Sequence, residues 1–229
     1  MKALILAAGF GVRLREIIHG RPKHLAPING QPFLRYLIRL LKKRGIKEIV
    51  IAVGYLANYI IDEFTRDNEG LTIKFSEDQR PLGTAGSIKK AAEYLKDDFI
   101  IVNGDTYLDI DYFKLMADHK RSKSLLTIVG TTKHKDKGGI ILAKNKTVTD
   151  FIIDSPATAP IHSYRNAGVY AASPQIFSFI PSFTKISLEK DIIPLLLSKH
   201  QPISLFPVNQ AFIDIGSPQS FMEAAKKLT

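Results

Sequence analysis

A glycine-rich turn directly after the first apolar segment is the part of the sequence best suited to bind phosphate. Residues 2–8 have the composition of a buried strand, and Gly9 and Gly11 follow at once. Such glycines let backbone N–H groups approach an anion, while Arg13 and Lys23 add cationic side chains. We interpret the segment as a phosphate-binding loop, although two glycines also suit an ordinary strand-to-loop turn.

The turn differs from the two best-known phosphate-binding fingerprints. Leu14 stands where a dinucleotide-binding fold would carry its third glycine, and no Gly-Lys-Ser/Thr sequence follows, as a Walker loop would require. The segment therefore predicts phosphate binding of another kind.

Two aspartates after apolar segments could share a divalent cation. Asp105 follows the apolar residues 99–103, and Asp214 ends another apolar run. Open parallel sheets bind ligands at the carboxyl ends of their strands, and Mg²⁺ is typically held by one or two carboxylates together with substrate phosphates. Asn103-Gly104-Asp105 also suits a plain turn, so both interpretations stay open at this point. Five histidines show no spacing typical of metal ligands: His19, His119, His134, His162 and His200.

Strands and helices alternate along the first half of the chain. Hydrophobic patterns predict strands at 2–8, 48–53, 71–75 and 99–103, and helices at 33–44, 57–64, 86–95 and 111–120. This order predicts βαβ units and an α/β fold whose mostly parallel sheet is covered by helices on both faces.

The second half of the chain has a more antiparallel pattern. We predict strands at 125–129, 139–143, 147–152 and 164–172, and helices at 187–197 and 218–227. Since no repeat, low-complexity tract or linker separates the halves, we expect one domain over residues 1–229.

The composition excludes several classes of protein. The chain has 229 residues, of which 45% are hydrophobic and 24% charged, a mixture typical of a globular protein rather than a disordered or fibrous one. No apolar run approaches the length of about 20 residues that a membrane span needs, and no signal peptide is visible. Because the chain has no cysteine, disulfides and cysteine metal sites are excluded, and we expect a cytoplasmic protein.

The positive charge is concentrated at the start of the chain. Residues 1–50 contain eleven Lys or Arg against two Glu, or +9 of the total formal charge of +10. Such an excess suits a phosphate-rich ligand, either a nucleotide or a nucleic acid. A solvated helix face is the alternative for the five cations that interleave with apolar residues: Arg35, Arg39, Lys42, Lys43 and Arg44.

Six segments, taken in order, carry a resemblance to a known family. They are residues 7–14 with Pro22-Lys23, then 81–86, 103–105, 166–170, 188–191 and 212–216. Together they resemble the signatures of the sugar-1-phosphate nucleotidyltransferases. The resemblance implies a Rossmann-like, three-layer α/β/α fold with a mostly parallel, mixed sheet. It also implies the Mg²⁺-dependent transfer of a nucleotide from a nucleoside triphosphate to a sugar 1-phosphate. We expect no nucleic-acid or membrane partner, and a homodimer is possible.

The resemblance also implies a set of nucleotide-binding residues. Arg13 and Lys23 would be catalytic and stabilise the triphosphate, and Asp105 and Asp214 would bind the metal. Asp78 matches the family position beside the base, where a carboxylate, which only accepts hydrogen bonds, favours guanine; a solvated loop over 77–80 is the alternative. The full implied set is Leu6, Ala7, Ala8, Gly9, Gly11, Arg13, Lys23, Asp78, Pro81, Gly83, Thr84 and Asp105.

For the sugar, the resemblance implies Gly104, Asn166, Gly168, Glu189 and Lys190. An exposed first helical turn is the alternative for Glu189 and Lys190. Many relatives have Glu-Lys-Pro where this chain reads Ile153-Asp154-Ser155-Pro156, so the lysine that reaches the sugar phosphate is missing. Val12 also replaces the usual Thr or Ser.

Within the family, length and the segments at 188–191 and 212–218 best match the D-glycero-α-D-manno-heptose 1-phosphate guanylyltransferases, which implies GTP as the nucleotide. Mannose 1-phosphate guanylyltransferases and N-acetylmuramate 1-phosphate uridylyltransferases are alternatives. Two hypotheses from other classes remain. A non-catalytic sensor of nucleotide sugars would explain the missing lysine, and a nucleic-acid-binding protein would use the basic first segment.

Overall fold

A mixed nine-stranded sheet forms the centre of the molecule. The computed structural model describes residues 1–9, 11, 14, 18, 20–133, 138–153 and 162–228. The sheet contains β1 (Lys2–Ala7), β4 (Glu48–Val53), β5 (Thr72–Glu77), β6 (Phe99–Asn103), β8 (Leu126–Thr131), β9 (Ile140–Lys144), β10 (Thr147–Ile152), β11 (Tyr164–Ala172) and β12 (Ile203–Val208). Short strands form two further pairs: β2 (Pro27–Ile28) with β3 (Gln31–Pro32), and β7 (Thr106–Tyr107) with β13 (Ile213–Asp214).

The α-helices are α1 (Phe33–Lys43), α2 (Ala57–Arg66), α3 (Gly83–Lys90), α4 (Tyr112–Ser122), α5 (Ile193–Ser198) and α6 (Pro218–Lys227). Three 3₁₀ segments, Lys23–Leu25, Ala91–Tyr94 and Pro174–Phe179, and a π-helical turn, Leu188–Ile192, complete the described helical structure.

The strand order is β5-β4-β1-β6-β11-β8-β12-β10-β9. The first four of these strands are parallel, whereas β11 is antiparallel to both of its neighbours, β6 and β8. This mixed α/β sheet confirms the predicted fold class. Within it, every antiparallel pair includes at least one strand from the second half of the chain, as expected.

Alternate residues of β1 pack on opposite faces of the sheet. Ala3 and Ile5 share one buried cluster with side chains from α1, α2 and α4. Leu4 and Leu6 share a second cluster with side chains from α3 and α5. Helices therefore cover both faces, and the carboxyl ends of the parallel strands stay accessible at one edge of the sheet.

Three of the elements that differ from the sequence prediction are explained by proline or by tertiary contact. The strand β12 was not predicted, and Pro207 disfavours a central strand. The pairing of β10 with β12 is confined to Thr147 and Ser204, however, so the missing N–H of Pro207 costs no ladder bond there. The helix predicted at 187–197 is divided into a π-helical turn and α5, where Pro194 cannot donate a helical hydrogen bond.

The helix predicted at 86–95 begins earlier, at Gly83, and its last part is a 3₁₀ segment. The N–H groups of Ala85 and Gly86 both donate to the carbonyl of Ile186, at 3.1 and 3.3 Å. This contact satisfies the first turn of a glycine-containing helix that has low intrinsic propensity.

The basic residues of α1 are largely paired with acidic residues from α2 and the loop after it. Arg35 contacts Glu63, Asp67 and Glu69 at 2.6–2.8 Å, and Arg39 contacts Glu69 at 2.9 Å. The positive charge of this region is therefore compensated by acids distant in sequence. None of the helices in the described ranges has the length and apolar character needed to cross a membrane.

Candidate functional site

Two adjoining cavities open where the parallel strands end. The first-strand cavity has a volume of about 310 Å³ and is lined by Leu6, Ala8, Gly9, Lys23, His24, Asp78, Pro81, Leu82, Gly83, Thr84, Ser87, Asn103, Asp105 and Lys185. The β11 cavity has a volume of about 550 Å³ and includes residues from β11, from the π-helical turn and from β13. Asn103 and Asp105 line both cavities, so they stand at the junction.

Lys23 and Asp105 form an ion pair at this junction. The ammonium Nζ donates to Asp105 Oδ2, and the two side chains are only 18% and 23% exposed. Burial disfavours the charged carboxyl, but the charge of Lys23 and its hydrogen bond outweigh burial and hold the pKa of Asp105 below its ordinary value. Asp105 is therefore a carboxylate, and a cation faces the cavity beside it.

The side chain of Lys23 passes directly over the glycine-rich turn. Gly11 has a φ of +61°, and a Cβ at this position would come within 2.8 Å of Lys23 Cβ. Gly11 is therefore needed both for its backbone conformation and for the path of the lysine. The cationic end of Lys23 lies close to Gly9, where a Cβ would be 3.9 Å from Nζ.

A neutral histidine lies beneath the ion pair. His24 is buried, and no described residue forms a hydrogen bond with its Nδ1. Burial and the neighbouring Lys23 charge lower the pKa of His24 to about 3, despite the opposing effect of Asp105. The imidazole is thus uncharged near neutral pH and acts there as a packing group under Lys23.

Asp78 is a buried carboxylate at the opposite wall of the first-strand cavity. Its Oδ2 accepts a hydrogen bond from Ser87, while no described residue donates to Oδ1. Burial raises the pKa of Asp78, although the hydrogen bond from Ser87 acts in the other direction. A buried acceptor without a partner is unfavourable, so a ligand that supplies a donor to Asp78 would relieve that cost.

The turn at 82–86 is joined to the segment at 184–188 by several hydrogen bonds. Ile186 N–H donates to Leu82 O at 2.8 Å, and Leu188 N–H donates to Thr84 Oγ1 at 2.7 Å. Gly83 has a φ of +71°, and a Cβ there would be 2.5 Å from Ile186 O. A wall of the first-strand cavity is therefore held directly against residues that lead into the β11 cavity.

Glu189 receives hydrogen bonds from three hydroxyl groups. Its Oε2 accepts from Thr84 Oγ1 at 2.8 Å and from Ser187 Oγ at 2.9 Å, and its Oε1 accepts from Tyr170 OH at 3.0 Å. Tyr170 in turn accepts from Asn166 Nδ2 at 2.7 Å. Burial raises the pKa of the Tyr170 hydroxyl well above its ordinary value, so that group keeps its proton and donates.

The short β7–β13 pair brings the two predicted metal ligands together. Asp214 is paired with Thr106, the residue after Asp105, and Ile215 N–H donates to Asp105 O at 3.0 Å. Asp105 and Asp214 both line the β11 cavity. Within the described residues, no group of three or more His, Cys, Asp or Glu side chains could hold a metal alone. Two carboxylates nevertheless suit Mg²⁺ when substrate phosphates and water supply its other ligands.

Most of the residues implied by the resemblance line one of the two cavities. In the first-strand cavity these are Leu6, Ala8, Gly9, Lys23, Asp78, Pro81, Gly83, Thr84 and Asp105. In the β11 cavity they are Asp105, Asn166, Gly168, Glu189, Lys190 and Asp214. Segments up to about two hundred residues apart in the sequence, from Leu6 to Asp214, thus meet at one edge of the sheet.

Three implied residues lie outside the cavity linings. Ala7 packs into the core on the α1 side of the sheet, Gly11 lies under Lys23, and Gly104 N–H donates to Leu6 O at 2.9 Å. Arg13, Val12 and the segment at 154–156 lie outside the described residues, so their predicted roles stay predictions.

Sequence reasoning assigned no role to several residues that line the cavities. The first-strand cavity adds Leu82, Ser87, His24 and Lys185, and the β11 cavity adds Thr106, Phe151, Arg165, Ser187 and Phe212. Arg165 is a buried cation whose Nη1 donates to Gly138 O at 3.1 Å. Its position directly before Asn166-Ala167-Gly168 is the one available signal in the sequence, whereas Lys185 belongs to no recognisable motif.

Comparison with known proteins agrees with this geometry. Residues 2–229 match the sequence model of the Nucleotidyl transferase family. The chain belongs to this family.

Two similar relatives are D-glycero-alpha-D-manno-heptose 1-phosphate guanylyltransferases. The protein from Campylobacter jejuni is 33% identical over 221 residues, which cover 96% of this chain and 97% of the relative. The protein from Aneurinibacillus thermoaerophilus is 33% identical over 232 residues, covering 100% of this chain and 98% of the relative. A mannose-1-phosphate guanyltransferase from Yarrowia lipolytica is also 33% identical, but the match spans only 62% of its length.

Among solved structures, HddC from Yersinia pseudotuberculosis in complex with GMP-PN superposes with a TM-score of 0.86 and 30% sequence identity. The superposition covers 100% of this chain and 99% of HddC. The structural similarity to HddC therefore extends over the full length of this chain.

Proposed function

We propose that this protein is a guanylyltransferase of sugar 1-phosphates, acting as a single nucleotidyltransferase domain over residues 1–229. The reaction would join GTP to a sugar 1-phosphate and release pyrophosphate. D-glycero-α-D-manno-heptose 1-phosphate is the favoured sugar, because two relatives that match over nearly their whole length carry that activity in their names.

The main observation behind this proposal is that the two cavities adjoin at the Lys23–Asp105 ion pair. GTP would occupy the first-strand cavity and the sugar 1-phosphate the β11 cavity. Asp105 and Asn103 line both, so the reacting phosphates would meet beside Lys23. Alignment and charge neutralisation are the main requirements of nucleotidyl transfer, since the attacking phosphate oxygen is already ionised.

Lys23 and Arg13 would neutralise charge on the triphosphate and on the departing pyrophosphate. Asp105 and Asp214 would hold Mg²⁺, which would neutralise further charge and help to orient the two phosphate groups. Lys23, whose ammonium has three N–H donors, would donate to a phosphate oxygen as well as to Asp105.

Asp78 favours guanine among the bases. The Watson–Crick edge of guanine presents two N–H donor groups, N1–H and N2–H₂, to a carboxylate acceptor. The Oδ1 atom of Asp78 is buried without a described donor. Discrimination by an otherwise unpaired buried polar group is strong, because the wrong base leaves the acceptor unsatisfied.

For the sugar phosphate, Arg165 and Lys190 are the cations that line the β11 cavity among the residues that the structure describes. Either could take the role of the lysine that many relatives carry in Glu-Lys-Pro. We therefore propose that the sugar phosphate is bound by this pair of residues.

Pyrophosphate release tests the proposal. The protein is incubated with Mg²⁺, one of GTP, ATP, UTP or CTP, and one of D-glycero-α-D-manno-heptose 1-phosphate, α-D-mannose 1-phosphate or N-acetylmuramate 1-phosphate. We expect release with GTP and the heptose, and its loss when EDTA removes the metal.

Other outcomes of the same panel would contradict the proposal in separate ways. Release only with UTP would exclude the guanylyltransferase assignment. Binding of GTP and sugar 1-phosphates without release for any pair would support a sensor of nucleotide sugars instead of an enzyme.

A further inference from the structure

We propose that Tyr170 is a positioning residue, which orients Glu189 and Asn166 toward a hydroxyl-bearing sugar and connects them to the wall of the first-strand cavity through Thr84. The inference rests on the proposed function, since it assigns the sugar to the β11 cavity. Tyr170 itself is fully buried and lines neither cavity, so its effect on a substrate would pass through these neighbours.

The donors and acceptors among Gly168, Asn166, Tyr170 and Glu189 can each be assigned, and they form a chain from Gly168 to Glu189. Gly168 N–H donates at 3.1 Å to one end of the Asn166 side-chain amide, which identifies that atom as the oxygen. The other end is therefore the NH₂ group, and it donates to Tyr170 OH at 2.7 Å. The Tyr170 hydroxyl has one proton, which it donates to Glu189 Oε1 at 3.0 Å.

A second branch reaches Glu189 from the first-strand cavity. Leu188 N–H donates to Thr84 Oγ1 at 2.7 Å, so the hydroxyl proton of Thr84 is directed to Glu189 Oε2 at 2.8 Å. Ser187 likewise accepts from Lys190 N–H at 3.1 Å and donates to Oε2 at 2.9 Å. Glu189 thus receives three hydroxyl donors whose directions are set by the backbone or by Asn166.

Counting the remaining hydrogen-bonding capacity identifies what the group can recognise. Within the described part of the chain, Glu189 Oε1 keeps one acceptor position and Asn166 Nδ2 keeps one hydrogen. Both residues line the β11 cavity. A sugar hydroxyl can donate to the first and accept from the second, and neighbouring hydroxyls can divide these roles. Tyr170 fixes both partners, so its hydroxyl determines their relative orientation.

Replacement of Tyr170 by Phe removes the hydroxyl and leaves Glu189 and Asn166 without their shared partner. We expect KM for the sugar 1-phosphate to rise by about 10-fold or more, because a site built to bind hydroxyl groups loses its orientation. KM for GTP should change by less than about twofold, since Asp78 and Lys23 do not contact Tyr170. If Tyr170 only stabilised the fold, its replacement would not raise KM for the sugar 1-phosphate while leaving KM for GTP unchanged.

Tyr112→Phe is the matched control. Tyr112 is also fully buried, and its hydroxyl donates to a backbone carbonyl, that of Leu108, at 3.0 Å. It lines neither cavity. Both variants therefore remove a buried phenol hydroxyl, which forms two hydrogen bonds at Tyr170 and one at Tyr112. Only Tyr170→Phe should change KM for the sugar.

A second pair of variants keeps the test valid if Tyr170→Phe fails to fold. Thr84→Val removes the donor to Glu189, whereas Thr84→Ser retains it. Although Thr84 lines the first-strand cavity and not the β11 cavity, we expect Thr84→Val to raise KM for the sugar 1-phosphate, and Thr84→Ser to restore it. Equal sugar KM values for the two Thr84 variants would overturn the proposed connection.

Direct titration separates this inference from the proposed function. D-glycero-α-D-manno-heptose 1-phosphate and α-D-mannose 1-phosphate are titrated into the wild-type protein and the two Tyr→Phe variants without nucleotide. Binding that only Tyr170→Phe weakens supports the inference even if pyrophosphate release fails. A sugar KM or a sugar affinity that is equal in both Phe variants overturns the inference and leaves the proposed function standing. Absence of sugar 1-phosphate binding to the wild-type protein, together with absence of pyrophosphate release for every pair, overturns both.

Discussion

The two cavities are built in different ways. In the first-strand cavity the polar groups come mainly from short continuous segments. Among the described residues, Asp78 Oδ1 has no hydrogen-bond partner, and Lys23 forms an ion pair with Asp105. At the β11 cavity the lining residues Asn166 and Glu189 are joined to the buried Tyr170, and Glu189 to Thr84, by a directional set of hydrogen bonds. The first arrangement keeps charge available for a polyanion, and the second fixes the geometry of uncharged groups.

This difference agrees with the chemistry of the proposed substrates. Phosphate charges change position during transfer, so cations and carboxylates that can exchange partners are useful beside them. Sugar hydroxyls differ mainly in their direction, and recognition of direction requires fixed donors and acceptors. Substitutions in the first-strand cavity should therefore affect turnover and nucleotide choice. Substitutions among the hydrogen-bonded residues Asn166, Tyr170 and Glu189 should instead affect sugar binding.

The largest expected effect is that of Lys23→Ala on turnover. Removal of the ammonium takes away a cation that stabilises the developing charge, and we expect kcat to fall by about 10²–10³-fold. Pyrophosphate release at saturating GTP and sugar 1-phosphate measures this change.

Arg44→Ala is the control for Lys23, because Arg44 also forms an ion pair, with Asp109 at 2.6 Å, but lines neither cavity. Its kcat should equal that of the wild-type protein. If Lys23→Ala retained the wild-type kcat, the charge of the first-strand cavity would not drive turnover, and the proposed difference between the two cavities would be wrong.

Asp78→Asn should have a smaller effect, confined to the nucleotide. The amide presents a donor where guanine also presents donors, so we expect kcat/KM for GTP to fall by about 10-fold or more. The loss should be smaller for ITP, which lacks the 2-amino group. Steady-state kinetics with both nucleotides provide the measurement.

Glu77→Gln is a matched control, because Glu77 is the exposed neighbour of Asp78 and does not line the first-strand cavity. Its preference for GTP over ITP should equal that of the wild-type protein. An unchanged preference in Asp78→Asn would show that the base is read by other groups.

The smallest expected effect concerns the pH dependence of stability near the ion pair. The pKa of His24 is about 3 in the folded protein against an ordinary value of 6.5, so the unfolded chain binds more protons between these pH values. His24 therefore lowers the free energy of unfolding as the pH falls below about 6.5, by at most about 1.4 kcal/mol per pH unit. Urea unfolding at pH 7 and pH 5 measures this slope.

His24→Leu should reduce that slope, whereas His200→Gln, at an exposed position, should leave it unchanged. The remaining slope has another source in His119, whose pKa is also lowered by burial. Equal slopes in the wild-type protein and the His24→Leu variant would show that the imidazole beneath Lys23 is not held neutral.

The strand at 2–8, the turn with Gly9 and the short segments at 81–86 and 103–105 all reach the first-strand cavity. Their local composition contains backbone freedom and charge, so short continuous segments could be selected from the sequence, while their roles stay predictions. The same reasoning missed β12. Pro207 disfavours a strand locally, and only the position of β12 between two neighbouring strands permits one there.

The amino-acid sequence alone determined the α/β class and the alternation of strands and helices, since both follow from local periodicity and residue type, and it predicted which segments bind phosphate. Only the tertiary structure decided that Lys23 pairs with Asp105, that Asp214 joins them through a two-residue strand, and that Tyr170 connects Asn166 to Glu189. The first two contacts join residues far apart in the chain, and all of the distances depend on how the sheet and its helices pack as a whole.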